Sequence, residues 1–170
     1  MVPGSVKDRP VLHLRYSRSE MALEAIGIAA FAFCAALLAL NWSALPERVP
    51  SHFSFNGEVD GWSSRGTMLA VPLVMLLLYC GLTALARIPH YFNYPRAITP
   101  GNAERQYRLA RLLIFFIKTV LATIAAFVIW NLVENATAAH PHVNIIFLPI
   151  ILGLLFGGIG VYLYAALRRR

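Results

Sequence analysis

Four long apolar runs alternate with polar segments along the chain. The runs cover about residues 21–42, 67–86, 112–132 and 145–167. About twenty apolar residues, at a rise of about 1.5 Å each, cross a hydrocarbon core of about 30 Å. The pattern therefore predicts an all-α fold, a bundle of four transmembrane helices.

The first run is expected to remain in the mature protein. It is too long for the apolar region of a signal peptide, and Asn41, Trp42 and Leu45-Pro46 follow it in place of a small-residue cleavage site. No internal repeat or linker divides the chain. We expect residues 1–170 to form a single integral membrane domain.

The polar segment between the first two runs, residues 45–65, is called the outer motif below. It reads LPERVPSHFSFNGEVDGWSSR. Pro46 and Pro50 favour extended backbone at the residues that precede them. Asn56-Gly57 is a strong turn signal between alternating polar and apolar residues. The outer motif is therefore expected to form a small β-hairpin or loop.

Two hairpin registers compete. A two-residue turn at Asn56-Gly57 places Phe53 opposite Asp60 and mixes aromatic and acidic groups on one face. If Glu58 joins the turn, the two faces are segregated, and a strand that meets lipid or protein on one side favours segregation. We favour this second register, although the turn chemistry favours the first. Its polar face holds His52, Ser54 and Asp60, and its apolar face holds Phe53, Phe55 and Val59.

The outer motif supplies the candidate ligand-binding residues. A neutral imidazole beside a carboxylate orients a polar ligand or shuttles a proton. The competing interpretation is structural, with Asp60 and Asn56 satisfying turn backbone and the aromatic residues seating the hairpin at the membrane interface. The candidate set is His52, Phe53, Asn56, Gly57, Asp60 and Trp62.

A membrane enzyme or metal-dependent protein is the alternative function. In that hypothesis His52 and Asp60 act on an envelope substrate together with Glu134, His140 and His142 of the next outer loop. Their spacings match no recognised metal motif. No catalytic triad, Cys-His pair or carboxylate pair stands out either. We expect no catalytic residue, metal or cofactor, and we lean against an enzyme.

Composition and charge identify the compartment. The chain is 58% hydrophobic, 14% charged and carries a net charge of +7. The cations flank the apolar runs, where they set topology and meet anionic lipid, so nucleic acid is excluded as a partner and the lipid bilayer is expected. The tail, the connector 88–111 and the C-terminus are basic. By the positive-inside rule both termini are cytoplasmic, and the outer motif and loop 133–144 share the outer face of the membrane.

The connector is expected to begin a helix at Thr99-Pro100, because a hydroxyl caps free amides and proline fits the first helical position. A short cytoplasmic helix from Pro100 would then lead into the third run. We interpret the connector arginines as topology and lipid anchors, and the basic N-terminal tail as a segment on the cytoplasmic lipid surface. These cations include Lys7, Arg9, Arg15, Arg18, Arg96, Arg105, Arg108 and Arg111, with Arg168, Arg169 and Arg170 at the C-terminus.

Two polar residues fall inside the apolar runs. Lys118 either pairs with Glu24, which lies near the same surface, or snorkels to the cytoplasmic interface. Two such groups near one surface make a poor proton path, which argues against a transporter. In the fourth run, Gly153 and Gly157 allow close helix approach, either within the bundle or across a homodimer.

The outer motif and the later string NYPRAITPGNAERQY together resemble a family of small bacterial membrane proteins. Its domain of unknown function is shared with SdpI-type immunity proteins, and the resemblance covers about the first two-thirds of the chain. It implies a multi-span protein with an exposed motif that, in some members, protects the cell from a secreted toxic peptide and signals its presence. A peptide or lipid outside the cytoplasm is the expected ligand. The matching residues are Pro46, Pro50, His52, Phe53, Gly57, Asp60 and Gly61, followed by Asn93, Tyr94, Pro95, Thr99, Asn102 and Tyr107.

Overall fold

The architecture is four long helices with a small hairpin between the first two. A computed structural model describes residues 9–143 and 145–168, so Lys7, Arg169 and Arg170 lie outside the described residues. The antiparallel strands are β1 (Arg48–Phe53) and β2 (Val59–Ser64). Short 3-10 turns cover Arg65–Leu69 and Pro89–Tyr91. The helices are α1 (Arg18–Asn41), α2 (Ala70–Leu85), α3 (Ala103–Ala136) and α4 (Phe147–Leu167).

Four helical segments are long and apolar enough to cross a membrane, the second including the 3-10 turn before α2. The expected all-α four-helix fold with a hairpin is therefore confirmed, and the chain is a multi-pass membrane protein. The hairpin lies at one end of the bundle, called the hairpin side below. The tail and the connector lie at the other end, called the connector side.

Two helices begin earlier than their apolar runs. Ser17 and Glu20 form a capping box, in which the Ser17 amide donates to Glu20 Oε2 (2.6 Å) and the Glu20 amide donates to Ser17 Oγ (3.2 Å). This box starts α1 at Arg18. The third helix begins at Ala103 and runs for 34 residues, which is about 50 Å at the α-helical rise.

The expected helix start at Thr99-Pro100 is wrong by a few residues. The Thr99 amide donates to Asn102 Oδ1 (2.9 Å), and Asn102 Nδ2 donates to the Ala97 carbonyl (3.0 Å). These bonds make residues 100–102 a turn, so the helix begins only after it. The expected cytoplasmic helix is the first part of α3, which continues into the bundle without a break.

The third helix is the centre of the bundle. It packs against α1, α2, α4 and β1, and it contains most of the buried positions, among them Lys118 and Arg111. The other three helices bury few residues and expose long apolar faces, as expected where lipid covers them.

Three of the connector arginines, Arg105, Arg108 and Arg111, hydrogen-bond to other parts of the chain, a role that the sequence pattern did not predict for them. Arg111 lies 2.5 Å (Nε to Oε1) and 2.9 Å (Nη2 to Oε2) from Glu20, a buried pair between α3 and α1. Its guanidinium also donates to the carbonyls of Leu14 and Arg15, both at 2.8 Å. Nearer the start of α3, Arg105 donates to the Ala165 carbonyl near the end of α4 (2.5 Å).

Residues 9–17 form an extended strap that contacts the connector. Arg9 donates to the carbonyls of Phe92 (2.6 Å) and His90 (3.1 Å). Its guanidinium lies over the Tyr94 ring, 5.6 Å from the centroid. Tyr94 in turn donates to the Pro89 carbonyl (2.8 Å), and burial raises the pKa of this phenol above its ordinary value. The phenol therefore keeps its proton, and its hydrogen bond joins Tyr94 to Pro89 within the connector.

The intramembrane lysine is paired. Lys118 is fully buried, and its ammonium donates to Glu24 Oε2 and to Thr83 Oγ1 (2.8 Å). It also lies over the Phe115 ring, 4.1 Å from the centroid. The expected Lys118–Glu24 pair is confirmed, and the snorkelling alternative is wrong because the ammonium is held between three helices.

The glycine pair of α4 does not mediate packing within the bundle. No described atom lies within 4 Å of a Cβ built on Gly153 or Gly157. A Cβ on Gly158 would instead collide with the ring of Phe116 in α3. The close approach of α3 and α4 therefore depends on Gly158.

Replacing Arg111 by Gln is expected to lower the free energy of unfolding by about 3–5 kcal/mol, because Glu20 would remain buried without its partner. The matched control is Arg108→Gln, which removes an exposed pair with Glu104 and is expected to cost less than about 1 kcal/mol. Denaturant unfolding of both variants in detergent measures the difference. Equal losses would contradict the structural role of the Arg111–Glu20 pair.

Candidate functional site

The hairpin is seated on the bundle by apolar residues at its base. Val49 is completely buried and Leu45 nearly so, and both join a cluster that includes Cys34 of α1 and Ile129 of α3. Arg65 closes the base, because its amide donates to the Glu47 carbonyl (2.9 Å) and its guanidinium to the Leu45 carbonyl (3.2 Å). The hairpin is therefore fixed to the membrane helices by its first strand.

Neither expected register holds along the hairpin, although the His52–Gly61 pair is one that the first register gives. The structure pairs Phe53 with Val59, His52 with Gly61, and Pro50 with Trp62, with irregularities on both sides of His52. Residues 55–57 form a three-residue loop, closed by the Gly57 amide donating to the Ser54 carbonyl (2.9 Å). Gly57 has a φ of 86°, the left-handed conformation typical of the last residue of such loops. Asn56 and Gly57 are thus the second and third residues of a loop that Phe55 begins.

The irregularity at His52 brings the two central candidate residues together. His52 Nδ1 lies 2.5 Å from Asp60 Oδ1, although the two residues are not strand partners. Their side chains are 73% and 46% exposed. The pair is therefore preformed and accessible to a ligand.

A cleft of about 800 Å³ opens beside this pair. Its hairpin wall contains His52, Phe53 and Asp60, and residues 145–149 at the start of α4 form the opposite wall. Phe127 of α3 also lines it, with its ring stacked on that of Phe147 at a centroid distance of 3.4 Å. The cleft is thus apolar on most of its surface and has an imidazole–carboxylate pair at one edge.

Phe55 lies at the tip of the hairpin loop, where its side chain lines the same cleft and is 96% exposed. The favoured register placed Phe55 on the apolar face of a strand that meets lipid or protein. In the structure it belongs to the loop, because the loop begins one residue earlier than in either expected register.

The other candidate residues lie elsewhere. Asn56 accepts from the Glu58 amide (3.2 Å) and donates to Glu58 Oε2 (2.8 Å), so it stabilises the turn as the structural interpretation held. Trp62 lies opposite Pro50 on β2 and is not among the residues that line the cleft. Half of the candidate set, His52, Phe53 and Asp60, lines one cleft.

Gly57 is the contact between the hairpin and the loop that joins α3 to α4. Its carbonyl accepts from the Val143 amide (2.9 Å). The His142 amide donates to Asn135 Oδ1 (2.6 Å), which holds the loop in place from α3. The two loops therefore lie on the same side of the bundle, as the alternation of spans predicts.

The arrangement offers hydrogen-bonding and acid–base chemistry. An imidazole held by a carboxylate donates or accepts a proton from its free nitrogen. Within residues 9–143 and 145–168, no group of three or more His, Cys, Asp and Glu residues lies close enough to hold a metal ion. The described donors thus give no support to the metal-dependent alternative.

Sequence reasoning missed the walls contributed by α3 and α4. Phe127 and Phe147 lie in apolar runs, where an aromatic residue that faces a cleft looks the same as one that faces lipid. A weak signal was present, since aromatic residues are rare among the aliphatic residues around position 147. Contacts across helices decide which face such a residue occupies.

The fold and the site define a multi-pass membrane protein with an exposed hairpin motif. Residues 29–76 match the model of a domain of unknown function, DUF1648. This is the domain family associated with SdpI-like membrane proteins, so the resemblance of the outer motif to that family is confirmed for this segment. The matched segment contains the second half of α1, the whole hairpin and the first part of α2.

A curated relative supplies sequence similarity but no activity. An uncharacterized protein of Archaeoglobus fulgidus is 33% identical over 64 residues. The alignment covers 33% of this chain and 35% of the archaeal protein, so the match spans about a third of each. No solved structure matches the chain.

Replacing Gly57 by Ala is expected to release the loop from the hairpin. The left-handed backbone costs a non-glycine residue about 1–2 kcal/mol, and the new Cβ would lie 2.7 Å from His142 Cε1. Faster hydrogen exchange at the Val143 amide measures the release. Gly66→Ala is the matched control, because the nearest neighbouring atom there is Ser64 Oγ at 3.9 Å. Unchanged exchange in Gly57→Ala would contradict the docking of the loop on Gly57.

Proposed function

We propose that this chain is an envelope ligand-binding protein of the bacterial cytoplasmic membrane, with a sensing or immunity-like role. The observation that carries the proposal is the His52–Asp60 pair at the edge of an apolar cleft of about 800 Å³. A cleft with apolar walls and a few convergent polar groups is the usual form of a ligand site.

The chemistry of the cleft favours an amphipathic ligand that carries a positive charge. Asp60 uses one oxygen for His52 and keeps acceptor capacity on a half-exposed carboxylate. Phe53 and Phe147 offer aromatic surface to an apolar chain or side chain. A cationic amphipathic peptide satisfies both features, and a lipid with a cationic headgroup satisfies them less fully, because its acyl chains also partition into the bilayer.

The distribution of charge supports an orientation with the hairpin outside the cytoplasm. The connector side carries the strap arginines, Arg87 and the arginines at the start of α3. The hairpin side has Arg48 and Arg65 as its arginines between α1 and α2. By the positive-inside rule both termini are cytoplasmic, and the cleft faces the envelope.

The immunity-like part of the proposal rests on the domain match. Residues 29–76 include every residue of the outer motif that resembles the SdpI-type family. In that family, the resemblance implies protection against a secreted toxic peptide. A cleft that takes a cationic amphipathic peptide fits such a role, since peptides of this kind partition into the membrane interface where the hairpin lies.

Replacing Asp60 by Asn or His52 by Gln is expected to weaken peptide binding about tenfold, because charge-assisted hydrogen bonds contribute about 1.5–3 kcal/mol. The probe is a fluorescein-labelled amphipathic helical peptide with lysines on its polar face. Fluorescence anisotropy with the full chain in nanodiscs measures the dissociation constant.

His140→Gln is the matched control for this experiment. It replaces an exposed histidine on the same side of the bundle that is not among the residues lining the cleft. Its affinity should equal that of the wild type. Wild-type affinity in Asp60→Asn would overturn the proposed site.

A further inference from the structure

Two small clefts lie between α1 and α2 on the connector side, far from the hairpin site. Their volumes are about 230 and 310 Å³, and Glu24, Thr83 and Arg87 line both. Glu24 lies about 9 Å along α1 from Arg18. Arg87 follows the end of α2 at Leu85. Both clefts therefore lie near the connector-side ends of two membrane-spanning helices, where lipid headgroups are expected.

The carboxylate of Glu24 is only partly satisfied by its ion pair. Its Oε2 atom accepts from the buried ammonium of Lys118, but the side chain remains 32% exposed. Tyr79 lines the larger cleft together with Glu24, and its hydroxyl oxygen has no hydrogen-bond partner by geometry among the described residues. An acceptor near the hydrocarbon core is costly unless a donor reaches it. The clefts therefore present a carboxylate that has capacity for another cation.

Arg87 supplies the opposite charge at the mouth of the clefts. Several other arginines on this side, among them Arg9, Arg105 and Arg111, donate to parts of the chain. Arg87 is exposed, and its guanidinium makes no hydrogen bond or ion pair with the residues that the structure describes. A free guanidinium matches the planar geometry of phosphate oxygens.

We propose that these clefts bind the headgroup of a phospholipid that carries a primary ammonium group. The phosphate lies on Arg87, and the ammonium donates to Glu24. Lys118 and Glu24 together are neutral, so a purely anionic headgroup would satisfy Arg87 and leave the exposed carboxylate facing a negative ligand. A quaternary ammonium has no N–H group to donate. The pair of charges thus selects a phosphoethanolamine headgroup over phosphocholine and phosphoglycerol.

The test measures which lipids remain with the full chain after extraction. Protein is reconstituted in vesicles of equimolar phosphatidylethanolamine, phosphatidylcholine and phosphatidylglycerol, extracted in mild detergent, and its retained lipids are quantified by mass spectrometry. Phosphatidylethanolamine is expected to be enriched about fivefold over each of the other two lipids, the effect of one additional charge-assisted hydrogen bond at a partly exposed site.

Two variants distinguish lipid binding in the clefts from general electrostatic attraction between lipid and the basic surface. Arg87→Gln is expected to abolish the enrichment, whereas Arg18→Gln removes the same charge on the same side, outside both clefts, and should retain it. Neither variant touches the Lys118–Glu24 pair, and an unchanged unfolding midpoint confirms that each remains folded.

A lipid series tests the ammonium contact without any variant. Stepwise N-methylation of the headgroup is expected to lower retention by wild-type protein at each step, because each methyl group removes a donor. Retention that does not change with methylation would overturn the proposal. Enrichment of phosphatidylglycerol over phosphatidylethanolamine would overturn it as well, since Arg87 would then act as a simple anionic-lipid anchor.

Discussion

The bundle depends on two cations of α3 that have carboxylate partners on α1. Arg111 pairs with Glu20, and Lys118 with Glu24, both in an apolar environment where an unpaired charge is severely penalised. The α1 and α3 helices run in the same direction, and the two ion pairs lie at different heights along them. Sliding or rotating α1 against α3 would therefore break both pairs. Neighbouring apolar residues would tolerate such shifts, since lipid solvates them as well as protein does.

The features predicted from the sequence are those encoded locally. Apolar run length identifies the spans, and the alternation around Asn56-Gly57 identifies the hairpin. Depth along the helices identified Glu24 as the candidate partner of Lys118 and left snorkelling open, and the contacts between helices decide for the pair. The register was not predictable in the same way. It depends on whether Phe55 belongs to the strand or to the loop, and the loop is also held through Gly57 by Val143, a contact distant in sequence.

The partners of the arginines were hidden for a different reason. The acceptors of Arg9, Arg105 and Arg111 include backbone carbonyls. Because every residue has a backbone carbonyl, the sequence does not show which one an arginine will bind. Charge counting assigns such residues to topology, which is only part of their role. The walls of the hairpin-side cleft were hidden too, because an apolar residue facing a cleft and one facing lipid follow the same pattern.

The length of α3 has a mechanical consequence. A helix of 34 residues is about 20 Å longer than the hydrocarbon core is thick, and it contacts β1 near one end and holds the strap near the other. A single helix without a break is a stiff rod. Any torque that turns α3 beneath the hairpin must turn Arg111 through the same angle, so α3 mechanically connects the hairpin to the strap on the far side of the bilayer.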